Sequence, residues 1–395
     1  MNALTSNSIA AMLPDLTAMR HHLHRHPELM YDVPRTAGLV ANGLRGYGFD
    51  EVIEGIGRTG VLGILHGKNG PATSAEKRVL LRADMDALPI QEIGNHAYKS
   101  TVHGKMHACG HDGHTAMLMG AARHLAETRN FDGTIVFCFQ PAEEGGAGAE
   151  AMIEDGMLDR FPVKAAYGMH NWPGIPVGQF AVARGAAMAS GNALFLRIKG
   201  RGGHAAAPHL TRDPVVIAAH IVTALQTIVA RVVDPLQPAV VSVTSIHGGD
   251  AFNIIPEEVE MKVNFRTFSD EVSALIDAEI RRICQLTAAS FSAAVEIVDG
   301  MEVPYPATIN HEHETEIAIK VARDLVGADK VDDAIKPMMA SEDFAFVLRR
   351  VPGCYLFIGN GDSAGLHNPA YDFNDGVIPH GVAFWSALVH EVLPV

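Results

Sequence analysis

The stretch Thr134-Ile135-Val136-Phe137-Cys138-Phe139-Gln140-Pro141-Ala142-Glu143-Glu144-Gly145 decides how this chain folds. Ile135 to Phe139 form an unbroken apolar run, without the polar alternation of a strand that has one face in water. Such a run reads as a strand buried on both faces, the kind found in parallel sheets covered by helices. Apolar runs at 165–169 and 354–359 read the same way, and strand-like runs lie at 60–66 and 78–83. Helical periodicity fills the intervals, at 8–26, 34–47, 112–128 and 312–326. The expected fold is therefore α/β, with a mixed, mostly parallel sheet flanked by helices.

The character changes near Arg184. Residues 193–199 alternate like a half-exposed strand, 213–233 read as a helix, and 239–247 and 259–268 read as strands. A helix over 269–288 and a strand over 293–298 complete the order β-α-β-β-α-β, a ferredoxin-like unit. The expectation is an inserted α+β domain at 185–296, with 1–184 and 297–395 forming the first domain.

Composition narrows the function. The 395 residues carry a formal net charge of −14, which argues against nucleic acid and against an anionic membrane surface. Four cysteines are too few and too scattered for a disulfide scaffold. Residues 1–15 lack a basic segment followed by an apolar core, and no apolar run is read as long enough to span a membrane. The expectation is a soluble cytoplasmic protein. Its 21 histidines are the anomaly, with clusters at 21–26 and 107–114.

Four motifs fall just beyond the carboxyl ends of these strands, where open α/β sheets bind ligands. They are Arg82-Ala83-Asp84-Met85-Asp86, Pro141-Ala142-Glu143-Glu144, Met169-His170 and the segment 361–367. In Cys109-Gly110-His111, one-residue spacing lets a thiolate and an imidazole meet one cation when the backbone is extended. A thiolate with imidazoles suits zinc, and carboxylate with imidazole suits manganese or another first-row ion. The plainer reading is a buried cysteine beside a capping histidine. In an extended segment Glu143 and Glu144 point to opposite sides. One then binds metal while the other takes and returns the proton of an acidified water. His170 and His367 are of interest because they lie where the others converge.

These motifs resemble the M20 metallopeptidase family, in particular its branch of hippurate hydrolases, aminoacylases and indole-acetyl-amino-acid hydrolases. The resemblance runs over essentially the whole chain. It includes His26-Pro27-Glu28-Leu29, the 82–89 and 107–114 segments, Gln140–Gly146, Gly202–Ala206, Asn253–Pro256, Ser341–Phe344 and His367-Asn368-Pro369. It implies that Cys109, His111, Glu144, His170 and His367 hold two divalent ions, zinc or manganese, with nickel and cobalt as further candidates. Glu143 would be the general base. Other branches carry a His-x-Asp ligand motif where this chain has Arg82-Ala83-Asp84. Asp84 is thus expected to orient a ligand from behind. The resemblance further implies that the inserted domain closes over the site and mediates a homodimer or larger homo-oligomer. His204 would polarise the scissile carbonyl from the partner subunit, and Asn253 and Arg266 would hold the substrate.

The expected reaction is hydrolysis of a small N-acyl amino acid, such as a benzoyl or acetyl derivative, to a carboxylic acid and a free amino acid. A dipeptidase or carboxypeptidase would use the same chemistry. A non-catalytic protein with a structural zinc site is the reading from a different class.

Overall fold

The computed structural model describes residues 7–395, so the first six residues of the 1–15 stretch read for a leader lie outside the described residues. Two compact units are present. The first holds the chain up to Ala187 together with Ile309–Lys336 and Asp343–Val395; the second holds Met188–Thr308 and Pro337–Glu342. The boundaries expected from sequence, 185 and 296, do not include that last short segment. Hydrogen bonds attach it, with the Ala189 amide donating to Met338 at 2.9 Å and Ala340 at 2.8 Å. No periodicity in six residues could announce this.

The first unit is an eight-stranded sheet. Its order is Glu51–Ile56, Gly60–His66, Thr134–Gln140, Arg78–Asp84, Ala165–Pro173, Gly353–Gly361, Phe180–Ala181 and Val331–Asp332. The four central strands, from Thr134–Gln140 to Gly353–Gly361, run parallel, and antiparallel pairings flank them. Every residue of Thr134–Gln140 is buried, as its unbroken apolar run demands. The helix His111–Thr128 packs against Asn7–Arg25 and Ile378–Val392, and all three cover the sheet's apolar core. The mixed, largely parallel α/β class read from the sequence is the class observed.

Two of those strands run further than their apolar cores suggest. Ala165–Pro173 continues past Met169, with His170 in register with Phe357, so His170 lies inside the strand rather than beyond it. Arg78–Asp84 likewise includes Arg82 and Asp84. Polar residues persist in these strands because each is paired: Arg82 with Gln140, Asp84 and Asp343, Asp84 also with His114, and His170 with the Asn171 carbonyl.

The second unit has an antiparallel sheet in the order Ala239–His247, Glu258–Thr267, Asn192–Lys199, Ala294–Asp299. Pro214–Thr227 and Asp270–Ser290 pack on it. Each starts at a side-chain cap: Asp213 accepts the Val215 and Val216 amides, and Ser269 accepts that of Val272. The first helix continues as a π turn over Ile228–Val232. This corrects one expectation, since Pro214–Val232 makes 19 residues with mean hydropathy 1.8, long and apolar enough by length and composition to cross a membrane. Ile217, Ile221, Leu225 and Ile228 put part of that apolarity into the unit's own core, while Val215, Val216, Val229 and Val232 stay exposed.

Candidate metal centre and active site

The site is built from five segments of the first unit. Cys109 and His111 flank Gly110, which stands at φ 94° as the N-cap of the His111–Thr128 helix. The backbone there is a left-handed turn, not the extended segment expected from the spacing. Glycine is required twice over: a Cβ would lie 2.3 Å from Asn171 Nδ2 and 2.6 Å from Tyr371 Oη. The turn still places Cys109 and His111, with His170, so that one donor atom from each lies within 4.8 Å of the others.

Glu143 and Glu144 also depart from the extended geometry. Ala142 at φ 54° and Gly145 at φ 96° fold the segment into a turn, so the two carboxylates do not point to opposite sides. Glu143 Oε2 lies 4.0 Å and Glu144 Oε1 3.9 Å from the same atom, His111 Nε2. Asp86 fixes this turn, accepting the Glu143 amide at 3.0 Å and the Glu144 amide at 3.2 Å. It also stands 3.6 Å from His111 Nδ1. The sequence reading passed over Asp86. The signal available was the Asp84-x-Asp86 pair, which holds two candidates and no mark between them.

Asp84 acts on a different neighbour. Its oxygens meet Arg82 Nη1 at 2.6 Å and His114 Nδ1 at 2.6 Å. His114 Nε2 in turn accepts the Asn171 amide at 2.9 Å. With both nitrogens used, His114 braces the strand that carries His170 and is not free to be a ligand. The carboxylate behind the Nδ1 of His111 is Asp86, while Asp84 lies 3.7 Å from its Nε2.

His170 donates Nδ1–H to the Asn171 carbonyl at 2.6 Å, which leaves Nε2 facing Cys109 Sγ at 3.3 Å. Asn171 donates to the Cys109 carbonyl at 2.7 Å and receives the Tyr371 hydroxyl. His367, at φ 63° and 53% exposed, is held by its amide on the Ala108 carbonyl at 2.8 Å, and its Nε2 is 3.3 Å from Glu144 Oε1. Cys109, Glu144 and His367 thus form a second donor group that shares the cysteine with the first.

The electrostatics ask for a cation. His111 Nδ1, His111 Nε2 and Glu144 Oε1 are buried without hydrogen bonds, which native interiors rarely tolerate. Burial and the nearby Glu144, Glu143 and Asp84 carboxylates push the Cys109 thiol well above its usual range, so only a positive charge at the sulfur would make it a thiolate. Burial also pushes His170 well down, leaving a neutral imidazole able to ligate. Burial draws His111 down too, but Asp84, Asp86 and Glu144 outweigh it and hold the ring up at about 10. Soft sulfur, imidazole and carboxylate donors together fit zinc and its first-row neighbours.

The other three sequence candidates belong to the second unit. His204 and Asn253 are brought together by a short ladder pairing Gly203–His204 with Ile254–Ile255, and both are exposed. His204 Nδ1 accepts the Ala206 amide at 3.0 Å, so the proton of the neutral ring sits on Nε2. Arg266 is half-buried, donating to Ser341 Oγ at 2.8 Å and Asn264 Oδ1 at 3.2 Å, both uncharged.

Comparison with known proteins finds relatives over most of the chain. The chain matches the model of Peptidase family M20/M25/M40 over residues 80–391. It is 41% identical over 375 residues to a hippurate hydrolase from Campylobacter jejuni, covering 95% of this chain and 96% of that one. An IAA-amino acid hydrolase from Arabidopsis thaliana is 38% identical over 385 residues, covering 96% of this chain and 85% of its own. A crystal structure from Bacillus subtilis, described as a dinuclear metal binding peptidase from the M20 family, superposes with TM-score 0.81 at 32% identity. It covers 97% of this chain and 99% of its own.

Proposed function

The chain belongs to peptidase family M20/M25/M40, and from that premise we propose that this amide-bond hydrolase cleaves N-acyl amino acids to a carboxylic acid and a free amino acid. The observation that carries the reading is the gathering of five soft and hard donors beside a second carboxylate, Glu143, at one end of a parallel sheet. Cys109, His111, Glu144, His170 and His367 would hold two divalent ions, zinc or manganese first, nickel or cobalt next. When bound, such ions supply the positive charge that acidifies a water and polarises an amide carbonyl.

The chain's own groups do the rest. Glu143 takes the proton of the attacking water on its carboxylate and delivers it to the nitrogen that leaves. Asp86 keeps that carboxylate in place through the Glu143 amide. His204, contributed by a second copy of the chain in a dimer formed through the 185–296 domain, donates a hydrogen bond from Nε2–H to the developing oxyanion. Arg266, whose partners in its own unit are neutral, pairs with the substrate's free carboxylate, and Asn253 holds the acyl amide. The proposed location is the cytoplasm, whose reducing thiol pool keeps Cys109 free to ligate.

A dipeptidase or carboxypeptidase is the second reading, favoured by the 32% identity to a protein described as a peptidase. Rates with hippurate, N-acetyl amino acids and dipeptides, each in zinc, manganese, cobalt and nickel, separate the two. Faster release from the N-acyl substrates supports the proposal; a preference for dipeptides replaces it with the second reading.

A further inference from the structure

A second histidine cluster of the first unit takes no part in the site above. His24, on the Asn7–Arg25 helix, is buried, and its Nδ1 meets Asp112 Oδ2 at 2.8 Å. Its Nε2 has no hydrogen bond and lies 3.5 Å from Glu92 Oε1. His96 stands beside it differently, its Nε2 hydrogen-bonded to the same Glu92 oxygen at 2.8 Å and its Nδ1 3.6 Å from Asp372 Oδ2, beyond hydrogen-bond reach. The other Glu92 oxygen accepts the Ser100 amide at 2.7 Å, which fixes the carboxylate. Two imidazoles, that of His24 backed by Asp112, therefore aim their outer nitrogens at one oxygen.

From this geometry we propose that His24, Glu92 and His96 hold a further divalent cation of the zinc class. A carboxylate behind Nδ1 is the arrangement that orients metal-bound histidines, and two histidines with a glutamate are a donor set that zinc accepts. One atom from each of the three lies within 4.8 Å of the others.

The charges around the cluster agree. Arg20 is 3.5 Å from Asp112, 2.7 Å from Asp372 and 3.3 Å from Asp375. Asp112, Asp372, Asp375 and Glu92 surround the cluster, and His21 Nε2 meets Asp375 at 2.7 Å; this acidic setting favours a cation at the three donor atoms. His96, with 20% of its side chain exposed, gives the ion a route from solvent. Bound there, the ion ties the Asn7–Arg25 helix to the loop bearing Glu92. Asp112, immediately after His111, links it to the His111–Thr128 helix.

The test is anomalous diffraction at the zinc edge from full-length protein equilibrated with zinc alone, together with metal analysis of His96→Gln and Glu92→Gln. The expected result is a peak about 2.0–2.2 Å from the three ligand atoms. Each variant should lose one metal equivalent per chain relative to the wild type. Peaks at Cys109 but none at His24 overturn this inference and leave the two-ion reading standing. A peak at His24 with none at Cys109 does the reverse, and unchanged metal content in a folded His96→Gln protein also overturns the inference. Should neither variant fold, the wild-type peak decides alone.

Discussion

Asp86 receives the backbone amide of Glu143 on its Oδ1 at 3.0 Å, and this contact sets where the Glu143 carboxylate stands. The same side chain accepts the Glu144 amide and backs the Nδ1 edge of His111. Asp86→Asn puts an NH2 group against one of these donors. We expect zinc affinity about 10–100-fold weaker, the usual effect of removing a group that orients metal ligands. Chelator-competition titration measures it, and unchanged affinity would show that the turn holds without Asp86.

Gly110→Ala should disrupt the site from the backbone. Its left-handed φ of 94° strains any side chain, and the new Cβ would collide with Asn171 and Tyr371. Gly174→Ala is the control, because φ there is 90° but nothing lies within 4 Å of the Cβ. Strain alone costs about 1–3 kcal/mol, so Gly174→Ala should lower Tm by a few degrees and spare metal content. Gly110→Ala should lower Tm further and reduce metal binding. Equal effects on both would remove Gly110 from the account.

These two glycine positions mark how far the sequence could be read. The parallel α/β class was legible because Ile135–Phe139 and its counterparts are apolar without alternation, a pattern that burial on both faces requires. The convergence of donors followed from strand ends meeting at one edge of the sheet. What stayed hidden depended on backbone torsions. The turn at Ala142, a non-glycine residue at φ 54°, carries no sequence signal, and it is what brings Glu143 and Glu144 to the same side. Asp84 and Asp86 are chemically identical, so only the hydrogen bonds distinguish the one that serves Arg82 and His114 from the one that serves the glutamates. His170 looked like a residue beyond a strand because a polar side chain interrupts the apolar run.

Metal binding should compete with protons. In the metal-free protein His111 is held up at about 10 and the Cys109 thiol higher than usual, so both carry protons at neutral pH that a ligating cation must displace. Zinc affinity should therefore rise with pH between 6 and 9, about tenfold per unit for each proton released. The sign for stability is opposite. A raised histidine stabilises the metal-free fold fully below pH 6.5, and that contribution fades as pH climbs towards 10. Zinc titrations and unfolding of the chelated protein at each pH check both slopes; a flat affinity profile contradicts the assignment of these ligands.

Cys109→Ser should lose metal before it loses fold. The sulfur belongs to both donor groups, with His111 and His170 on one side and Glu144 and His367 on the other. We expect at least about a tenfold loss of zinc affinity with near-native thermal unfolding of the chelated protein, since serine conserves the volume. Full metal content in this variant would overturn the ligand set.

The most direct measurement is hippurate hydrolysis by the wild type and by Glu143→Gln, each chelated, reconstituted with zinc or manganese, and assayed for metal content. The account predicts that chelation abolishes wild-type turnover and that metal restores it. It predicts that Glu143→Gln regains the same metal content while kcat stays about 10²–10⁴-fold lower, the range for loss of a general acid–base group. Wild-type turnover that survives chelation, or a metal-loaded Glu143→Gln enzyme that keeps its kcat, would contradict it.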